Sequence, residues 1–346
     1  MENLKIITFG EIMLRLSPIN YQRFIQARFF DAIYGGGEAN VAVSLANYGI
    51  KVDYVTRLPN NELGDACINY LRQFGVGTDK IIRGGERIGI YFLEKGASIR
   101  PSKVIYDRAH SAISTAEKEM FNWETIFEGV NWFHWTGITP AISQNLADVC
   151  LDAVKIAKKK GITISCDLNY RSKLWKYGKK PIDVMGELVK YCDIAIGNEE
   201  DTEKCLGIAA LDTDVSSGEL DPENYRFVVE EMFLQYPNLK NVAITLRGSL
   251  SASHNTWSGL LYDGNTMFVA PTYDIDFIVD RVGGGDSFNA GLIYGLNFYP
   301  NDLQKALNFA LAASCLKHSI EGDFNLVSKE EVEKLMEGET SGRISR

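Results

Sequence analysis

Three consecutive glycines and an aspartate stand immediately before an apolar, helix-forming stretch late in the chain. Gly283, Gly284 and Gly285 precede Asp286 within the run DRVGGGDSFNAG at residues 280–291. Glycines let backbone N–H groups converge without a Cβ in the way, and a helix N-terminus adds unpaired donors and a partial positive charge. Together these features suit a phosphoryl group. A carboxylate there would repel phosphate, but it makes sense as the base that takes a proton from an attacking hydroxyl.

This run also permits a purely structural interpretation. A glycine-rich turn followed by aspartate is an ordinary way to cap the start of a helix, and the local sequence leaves both interpretations open. The commoner phosphate-binding loops are absent from the sequence, which has no Gly-x4-Gly-Lys-Ser/Thr run and no strand leading into Gly-x-Gly-x-x-Gly. Nucleotide binding of the P-loop or Rossmann kind is therefore not indicated.

A second glycine run lies near the front of the chain. Gly35, Gly36 and Gly37 are followed three residues later by Asn40 and by an apolar helical stretch. The glycines would allow a ligand to lie against the backbone, and the Asn40 amide offers donors and an acceptor to hydroxyl groups. A tight turn between a strand and a helix explains the run equally well, so alone it is a weak signal.

The composition excludes several classes of function. The chain has 346 residues, 45% of them hydrophobic and 23% charged, with a formal net charge of −9. An acidic chain without a long Lys/Arg run argues against nucleic acid or an anionic membrane as the main partner. The six cysteines and four histidines show no metal-binding spacing, and no run reaches the ~18 apolar residues of a membrane span. We expect a cytoplasmic protein with reduced thiols and no signal peptide.

Strand-length apolar runs alternate with amphipathic helical stretches along the chain. The predicted strands cover residues 5–9, 52–56, 132–136, 163–166, 194–196 and 242–246. The predicted helices cover residues 39–48, 62–74, 145–159, 182–191, 223–235, 287–297 and 303–318. This alternation is typical of a mostly parallel sheet that carries helices on both faces. Ligands of such sheets bind beyond the carboxyl ends of the strands, so we expect the chemistry in the loops that follow the strands.

Two early stretches break the alternation. Residues 14–34 and 88–106 are rich in β-branched and aromatic residues without helical period, which predicts short antiparallel strands outside the main sheet. These strands could form a small lid over the strand ends, or an ordinary extension of the sheet edge. Because exposed strand edges tend to pair, we expect a homodimer through the lid. Residues 209–220 are predicted to form a polar surface loop and residues 336–346 a loose C-terminal tail.

Taken together, the two glycine runs resemble those of the ribokinase-like (phosphofructokinase B) carbohydrate kinase family. The early Gly-Gly-x-x-x-Asn and the late Asp-x-x-Gly-x-Gly-Asp occur in the order of that family, and residues 58–65 and 74–76 are similar as well. The likeness spans residues 4–335. It implies one kinase domain over residues 1–335, a ribokinase-like three-layer α/β sandwich with a β-strand lid. It also implies ATP and Mg²⁺ as cofactors and Asp286 as the catalytic base beside the amides of residues 283–285, and it leaves a monovalent cation open.

Within that family the chain looks most like the 2-keto-3-deoxygluconate kinases. The matching segments are residues 10–16, 89–92, 106–108, 136–139 and 167–171. The substrate contacts that this resemblance implies are Gly36, Gly37, Asn40, Tyr91, Tyr106, Arg108, Arg171 and Asp323. The two arginines fit such a substrate physically, because a sugar acid needs a cation and the guanidinium fork pairs with a carboxylate through two bonds. Surface ion pairs for the arginines and core packing for the tyrosines are the structural alternatives.

The resemblance is less clear on the nucleotide side. It implies nucleotide contacts from Asn169, Asn198, Thr245, Arg247, Gly248, Gly283 and Gly285. The family's Asn-x-x-Glu run is here Asn198-Glu199-Glu200-Asp201, so either Glu200 or Asp201 would serve the metal through water. Residues 249–258 replace a short glycine turn, which leaves the adenine contacts open.

Three functions remain under consideration at the level of sequence. The first is ATP-dependent phosphorylation of a primary hydroxyl of 2-keto-3-deoxygluconate. The second changes only the acceptor, to a neutral sugar such as fructose or ribose, or to a nucleoside. The third is a non-catalytic sugar-binding regulator on a kinase fold, against which the intact glycine run and Asp286 argue.

Overall fold

A computed structural model of the protein describes residues 4–210 and 222–339. The polar loop predicted over residues 209–220 therefore lies almost entirely outside the described residues, and so does most of the predicted C-terminal tail. The helix at the end of the described chain extends to Met336, one residue beyond the predicted domain boundary. Within the described ranges, no helix combines the length and the apolar character that crossing a membrane requires.

Strands and helices alternate as the sequence predicts. In the described part of the chain the strands are β1 (Lys5–Phe9), β2 (Met13–Pro18), β3 (Phe30–Gly35), β4 (Lys51–Val55), β5 (Arg57–Leu58), β6 (Ile82–Arg83), β7 (Gly89–Glu94), β8 (Lys103–Asp107), β9 (Trp132–Thr136), β10 (Thr163–Asp167), β11 (Ile194–Gly197), β12 (Asn241–Ser249), β13 (Asn255–Tyr262), β14 (Met267–Val269) and β15 (Tyr273–Ile275). The helices are α1 (Gly37–Asn47), α2 (Glu62–Arg72), α3 (Trp123–Ile126), α4 (Ile138–Ile142), α5 (Gln144–Lys159), α6 (Pro181–Val189), α7 (Glu199–Leu206), α8 (Arg226–Gln235), α9 (Gly284–Phe298), α10 (Leu303–Lys317) and α11 (Lys329–Met336).

The main sheet is mostly parallel, as predicted. Its strand order is β14-β13-β12-β11-β10-β9-β1-β4, and the pairs from β4 to β12 are all parallel. Both faces are buried: Ile6 and Ile7, neighbours on β1, are each fully buried but belong to different hydrophobic clusters. Because successive side chains of a strand point to opposite faces, helices must cover the sheet on both sides. The carboxyl ends of these strands meet at one edge, where the functional site is expected.

The two irregular stretches form a separate sheet of order β3-β2-β7-β8, which we call the lid sheet. Within it β2 pairs with β3 and β7 with β8 in antiparallel fashion, as the sequence predicts. The central pair of β2 and β7, the first strands of the two hairpins, is parallel, where the sequence predicted antiparallel strands.

Two predictions of local structure were incomplete. The segment at residues 249–258 is not an isolated loop, because it turns the chain between the antiparallel strands β12 and β13. The Asn-x-x-Asp run after β11 begins helix α7, where the Asn198 side chain and the Asp201 side chain each accept the other's backbone N–H in a capping box.

Candidate active site

Asp286 lies in the first turn of α9, directly after the glycine run. Gly283 caps this helix with a φ of +84°, and a Cβ there would lie 2.1 Å from the carbonyl oxygen of Asp323, so only glycine fits. Gly284 N–H donates to the Arg281 carbonyl at 3.3 Å. Gly285 is exposed, and a Cβ on it would meet nothing within 4 Å. The start of α9 thus opens onto free space, as an anion-binding helix terminus requires.

The two glycine runs meet at Asp286. Asn40 Nδ2 donates to Asp286 Oδ2 at 2.7 Å, while Asn40 Oδ1 accepts from the Gly36 N–H at 3.2 Å. A Cβ on Gly37 would lie only 3.3 Å from Asp286 Oδ1. Burial raises the pKa of Asp286 to about 7; Asn40 opposes this shift, and the nearby Glu38 carboxyl adds to it. A carboxylate with that pKa is well matched to general-base work near neutral pH.

Glu38 is a buried acid that the sequence analysis did not single out. Its Oε1 accepts from Thr136 Oγ1 at 2.7 Å and from Thr139 Oγ1 at 2.9 Å, so it ties α1 to the end of β9. Burial raises its pKa to about 7, against the hydrogen bonds of these threonines. A Cβ on Gly10 would collide with the Glu38 carboxyl at 2.1 Å, which explains the glycine after β1. The available signal in the sequence was its position, since Glu38 directly follows the glycines 35–37.

A cavity of about 250 Å³ lies between the lid sheet and the strand ends. Five of the predicted substrate residues line it, namely Gly36, Gly37, Tyr106, Arg108 and Arg171. Glu11 and Glu38 add two carboxyl groups to the lining, and Met13 and Ile138 add apolar surface. The cavity therefore has the size, the mixed lining and the location that a small sugar acid would need.

Arg108 is held at the wall of this cavity by Glu11. Its Nε donates to Glu11 Oε2 at 2.8 Å and its Nη2 donates to the same oxygen, while Ser111 Oγ donates to Glu11 Oε1 at 2.6 Å. The guanidinium also lies 5.5 Å from the centroid of the Tyr106 ring. Glu11 fixes the arginine and offsets part of its charge, a role that sequence reasoning missed because the two residues are far apart in the chain.

Arg171 is differently placed. It is exposed, donates to the carbonyl oxygen of its neighbour Tyr170 at 2.7 Å, and forms no ion pair with a carboxylate in the described ranges. Its charge still acts on the site, because it lowers the pKa of Asp286 and of Asp167 against the effect of burial. Of the two predicted arginines, Arg171 is the one that is exposed and forms no ion pair in the described ranges, so an anionic ligand can reach it.

Tyr91 and Asp323 lie outside the lining of the cavity. Tyr91 Oη donates to Asp323 Oδ2, and Arg15 donates to Asp323 Oδ1 at 2.6 Å and to Asp280 Oδ2 at 2.5 Å. All four side chains are buried. This cluster links strands β2 and β7 of the lid sheet to the loop that carries the glycine run. In this structure Tyr91 and Asp323 contact each other, and their role as substrate contacts stays a prediction.

The predicted nucleotide residues outside the glycine run lie just after β10 and β11 or in the last half of β12. Asn169 adopts a φ of +40° and donates to Asp167 Oδ2 at 3.2 Å, and Asn289 of α9 donates to the same oxygen at 2.7 Å. Burial raises the pKa of Asp167 to about 6. Thr245, Arg247 and Gly248 all lie on β12, with Arg247 exposed. These positions share the strand-end edge with Asp286, and their contacts with a nucleotide stay predictions.

The candidate metal residues lie at the start of α7. Asp201 Oδ1 accepts from the Tyr170 N–H at 2.7 Å and Oδ2 from the Asn198 N–H at 3.0 Å, while Glu200 is exposed. No group of three or more His, Cys, Asp or Glu side chains in the described residues is arranged to hold a metal ion. This donor set fits Mg²⁺ only as phosphate-bound Mg²⁺, which keeps several waters and needs one or two carboxylates.

Comparison with known proteins bears on the family and the fold. The family model of the pfkB family carbohydrate kinases matches residues 3–327. A 2-dehydro-3-deoxygalactonokinase of Haloferax volcanii is 31% identical over 340 residues, which cover 98% of each chain. A 2-dehydro-3-deoxygluconokinase of Bacillus subtilis is 28% identical over 295 residues, covering 85% of this chain and 83% of its own. The crystal structure of 2-dehydro-3-deoxygluconokinase from Thermotoga maritima is 52% identical, with a TM-score of 0.91 over 97% of this chain and 100% of its own. The predicted family and ribokinase-like fold are confirmed: the chain belongs to the pfkB family of carbohydrate kinases.

Proposed function

We propose that the protein transfers the γ-phosphoryl group of ATP to the primary hydroxyl of 2-keto-3-deoxygluconate (2-dehydro-3-deoxygluconate), giving the 6-phosphate. The observation that carries this proposal is the position of Asp286. Its carboxylate is half-buried at the start of α9, beside the glycine run and bonded to Asn40 of the other glycine motif. The relatives from Bacillus subtilis and Thermotoga maritima bear the name of this activity, which supports the choice of substrate.

The residues of the site divide the work of the reaction. Asp286 accepts the proton of the attacking hydroxyl, and Asn40 keeps its carboxylate oriented. The start of α9 favours the negative charge of the transferring phosphoryl group, and the amides of Gly283 and Gly285 would hold it, because the Gly284 N–H already donates to the Arg281 carbonyl. Mg²⁺ bound to the phosphates would supply further charge compensation, with Glu200 or Asp201 holding its water shell.

The cavity supports an acidic acceptor. Arg108 and Arg171 both line it, and they bring two guanidinium groups to a space of about 250 Å³. Of these, Arg108 is fixed by Glu11, and Arg171 carries the charge that is free to meet a carboxylate. A neutral sugar would leave the Arg171 guanidinium without an ion-pair partner, so this pocket favours a sugar acid over fructose or ribose.

The relative from Haloferax volcanii favours a second candidate, the epimeric acid 2-keto-3-deoxygalactonate. The two acids differ only in the configuration of one hydroxyl group. The arginines would treat the carboxylates of both acids alike, so one enzyme with this pocket could accept either.

A substrate panel tests the proposal. Release of ADP is measured with ATP and Mg²⁺ against both sugar acids, fructose, ribose and a nucleoside. We expect kcat/KM to be at least tenfold higher for a sugar acid than for any neutral compound. Equal turnover of fructose would overturn the acidic substrate, and binding of sugar acid and nucleotide in calorimetry without ADP formation would indicate a regulator.

We also propose that two copies of the chain associate through their lid sheets. Strands β3 and β8 are the edges of this sheet. Large apolar side chains on it and on its loops are exposed, including Ile25 at 93%, Phe29 at 73% and Ile105 at 54%. Exposed apolar side chains that lie together on one sheet can serve as an interface between copies. Sedimentation at micromolar concentration should give a dimer, and Ile105→Glu should shift it toward monomer; a wild-type monomer at that concentration would exclude the pairing.

A further inference from the structure

Lys317 is a fully buried lysine that the proposed mechanism does not use. It is the last residue of α10. Its Nζ donates to the carbonyl oxygen of Ile320 at 2.9 Å and lies 3.5 Å from the carbonyl oxygen of Asp280. In the described ranges it forms no ion pair with a carboxylate. The ammonium group is therefore held by main-chain oxygens of two loops, one before α9 and one after α10.

The last turn of α10 lies directly against the glycine run. Ser314 Oγ donates to the carbonyl oxygen of Gly284 at 2.7 Å. A Cβ on Gly283 would lie 3.3 Å from Lys317 Cε, whereas a Cβ on Gly285 would meet nothing within 4 Å. Because Lys317 is buried and Gly285 opens onto free space, the ammonium group lies behind the run, on the side opposite the approach of a phosphoryl group.

The charge of Lys317 interacts with the acids around the glycine run. Burial lowers the pKa of Lys317 to about 8. The carboxylates of Asp280 and Asp323 oppose this shift, the guanidinium of Arg15 adds to it, and the carboxylate of Asp286 opposes it as well. The ammonium group therefore stays mostly charged near neutral pH, and the proposed base lies within reach of its field.

A purely structural role explains this lysine poorly. A lysine at the end of a helix usually keeps its ammonium group in water, where it still favours the last carbonyl groups. An apolar side chain of similar length would fill the same space without removing a charge from water. A buried charge in this place is understandable when a neighbouring group becomes negative during function. In the proposed reaction that group is the phosphoryl group at the glycine run.

We propose that Lys317 is a positioning residue that holds the glycine run in shape from behind and gives it a fixed positive charge. This inference rests on the proposed kinase function. The ammonium group joins the loop of Asp280 to the loop of Ile320, which keeps the turn at Gly283 in place. Its charge favours the negative charge of the group in transfer. Lys317 is buried and does not line the sugar cavity, so it acts through the run and not by contact with a substrate.

Lys317→Ala with ammonium ions as the probe tests this assignment. The substitution removes the charge and leaves a space in which a small cation can reach the same carbonyl oxygens. ADP release is measured in ammonium chloride and, at equal concentration, in tetramethylammonium chloride, whose cation is too large for that space. In tetramethylammonium the kcat of the variant should fall at least about tenfold, with the KM for the sugar acid nearly unchanged, and ammonium should restore at least about threefold of it.

The wild type and a matched variant are the controls. The wild-type kcat should be the same in both salts, because Lys317 already fills the place of the added cation. Lys305→Ala changes a lysine of the same helix whose Nζ lies 4.4 Å from the centroid of the Tyr299 ring, and it should keep full activity in both salts.

Three outcomes would overturn the proposal. A kcat of Lys317→Ala close to the wild-type value would show that the charge is not needed. Equal activity of the variant in the two salts would show that the lysine is only structural. An equal gain of the wild type in ammonium would show that the ion acts elsewhere. If Lys317→Ala does not fold, Lys317→Gln carries the test, because its amide can still donate to the carbonyl oxygens but has no charge, and it must show the same loss of kcat.

Thermal unfolding gives a readout that does not depend on catalysis. The Tm of Lys317→Ala should be higher in ammonium than in tetramethylammonium by at least about 1 °C, because a cation that binds only the folded state stabilises it. An identical Tm in the two salts would exclude a cation place behind the run. A wild type that releases no ADP with any acceptor would refute the proposed function and leave this measurement valid, so the two failures are distinguishable.

Discussion

Asn40 Nδ2 donates a hydrogen bond of 2.7 Å to Asp286 Oδ2, across 246 residues of sequence. The same Asn40 amide accepts from the Gly36 N–H, so one side chain connects the first glycine turn to the carboxylate at the start of α9. The bond favours the charged form of Asp286, whereas burial and Glu38 favour the neutral form. The pKa of the proposed base therefore depends on burial, Asn40 and Glu38, and substitutions of these two residues should change it.

Replacing Asp286 by Asn should abolish most turnover and leave binding intact. We expect kcat to fall roughly 10²- to 10⁴-fold, the usual contribution of a general base, with the Kd for ADP unchanged. Single-turnover kinetics and calorimetry measure the two quantities. Glu330→Gln, an exposed acid in the first turn of α11, is the control and should keep full activity. Normal turnover in the Asp286 variant would remove this residue from the mechanism.

The same substitution should stabilise the protein above neutral pH. Because the pKa of Asp286 is raised on folding, the folded state holds more protons than the unfolded state between about pH 4 and 7, and wild-type stability falls as pH rises through that window. Asn does not ionise. The Tm of Asp286→Asn should therefore exceed that of the wild type by roughly 1–3 °C at pH 8 and equal it near pH 4. A lower Tm at pH 8 would contradict this account.

The pH dependence of kcat/KM should show an acid limb near pH 7, because the base must be ionised to accept a proton. Asn40→Ala removes a donor that stabilises the carboxylate, so the limb should move to higher pH. Glu38→Gln removes a neighbouring acid that raises the pKa of Asp286, so the limb should move to lower pH. Initial-rate profiles from pH 5 to 9 measure the acid limb of each variant. If the limbs of the two variants moved in the same direction, Asp286 would not be the group that titrates.

Arg108→Met should weaken binding of the sugar acid specifically. The variant loses a cation at the cavity wall and leaves the buried Glu11 carboxylate unpaired beside the substrate, where it would repel a second carboxylate. We expect the KM for the sugar acid to rise at least about tenfold, with the KM for ATP within twofold. Arg87→Met is the matched control, because Arg87 pairs with Asp107 and does not line the cavity. Equal effects of the two substitutions would show that the loss is structural.

The sequence predicts those features that short segments determine. The glycine run before Asp286 was identifiable because a helix start with φ of +84° at Gly283 is a local requirement. The Asn198–Asp201 capping box is equally local, and in it Asp201 accepts backbone N–H bonds, while the metal role that the resemblance implies for Glu200 or Asp201 stays a prediction. A short run that fits both a helix cap and a metal site cannot be given one role until the hydrogen-bond partners of its side chains are known.

Contacts between residues far apart in the chain could not be predicted from the sequence. Glu11 and Arg108 are 97 residues apart, and Arg15 and Asp323 are 308 apart, so no spacing rule joins them. The family resemblance implies a substrate-side position for Asp323, and the structure pairs its buried carboxylate with Arg15, a lid residue in a matching segment to which the sequence analysis gave no role. The strand β13 was missed for a related reason, since its pairing with β12 is set by tertiary contacts and not by its own short apolar pattern.

The pair of Arg15 and Asp323 gives the last prediction, which concerns the attachment of the lid sheet to the catalytic loop. Arg15→Met would leave Asp280 and Asp323 buried without their cation, so it should cost roughly 3–5 kcal/mol in the free energy of unfolding. Denaturant titration measures this cost. Arg226→Met, which breaks only surface pairs at the start of α8, should leave the free energy of unfolding nearly unchanged. Adding Asp323→Asn to Arg15→Met should recover part of the loss, because one uncompensated charge is removed. If Arg15→Met costs no more than the control, the buried cluster does not hold the lid sheet in place.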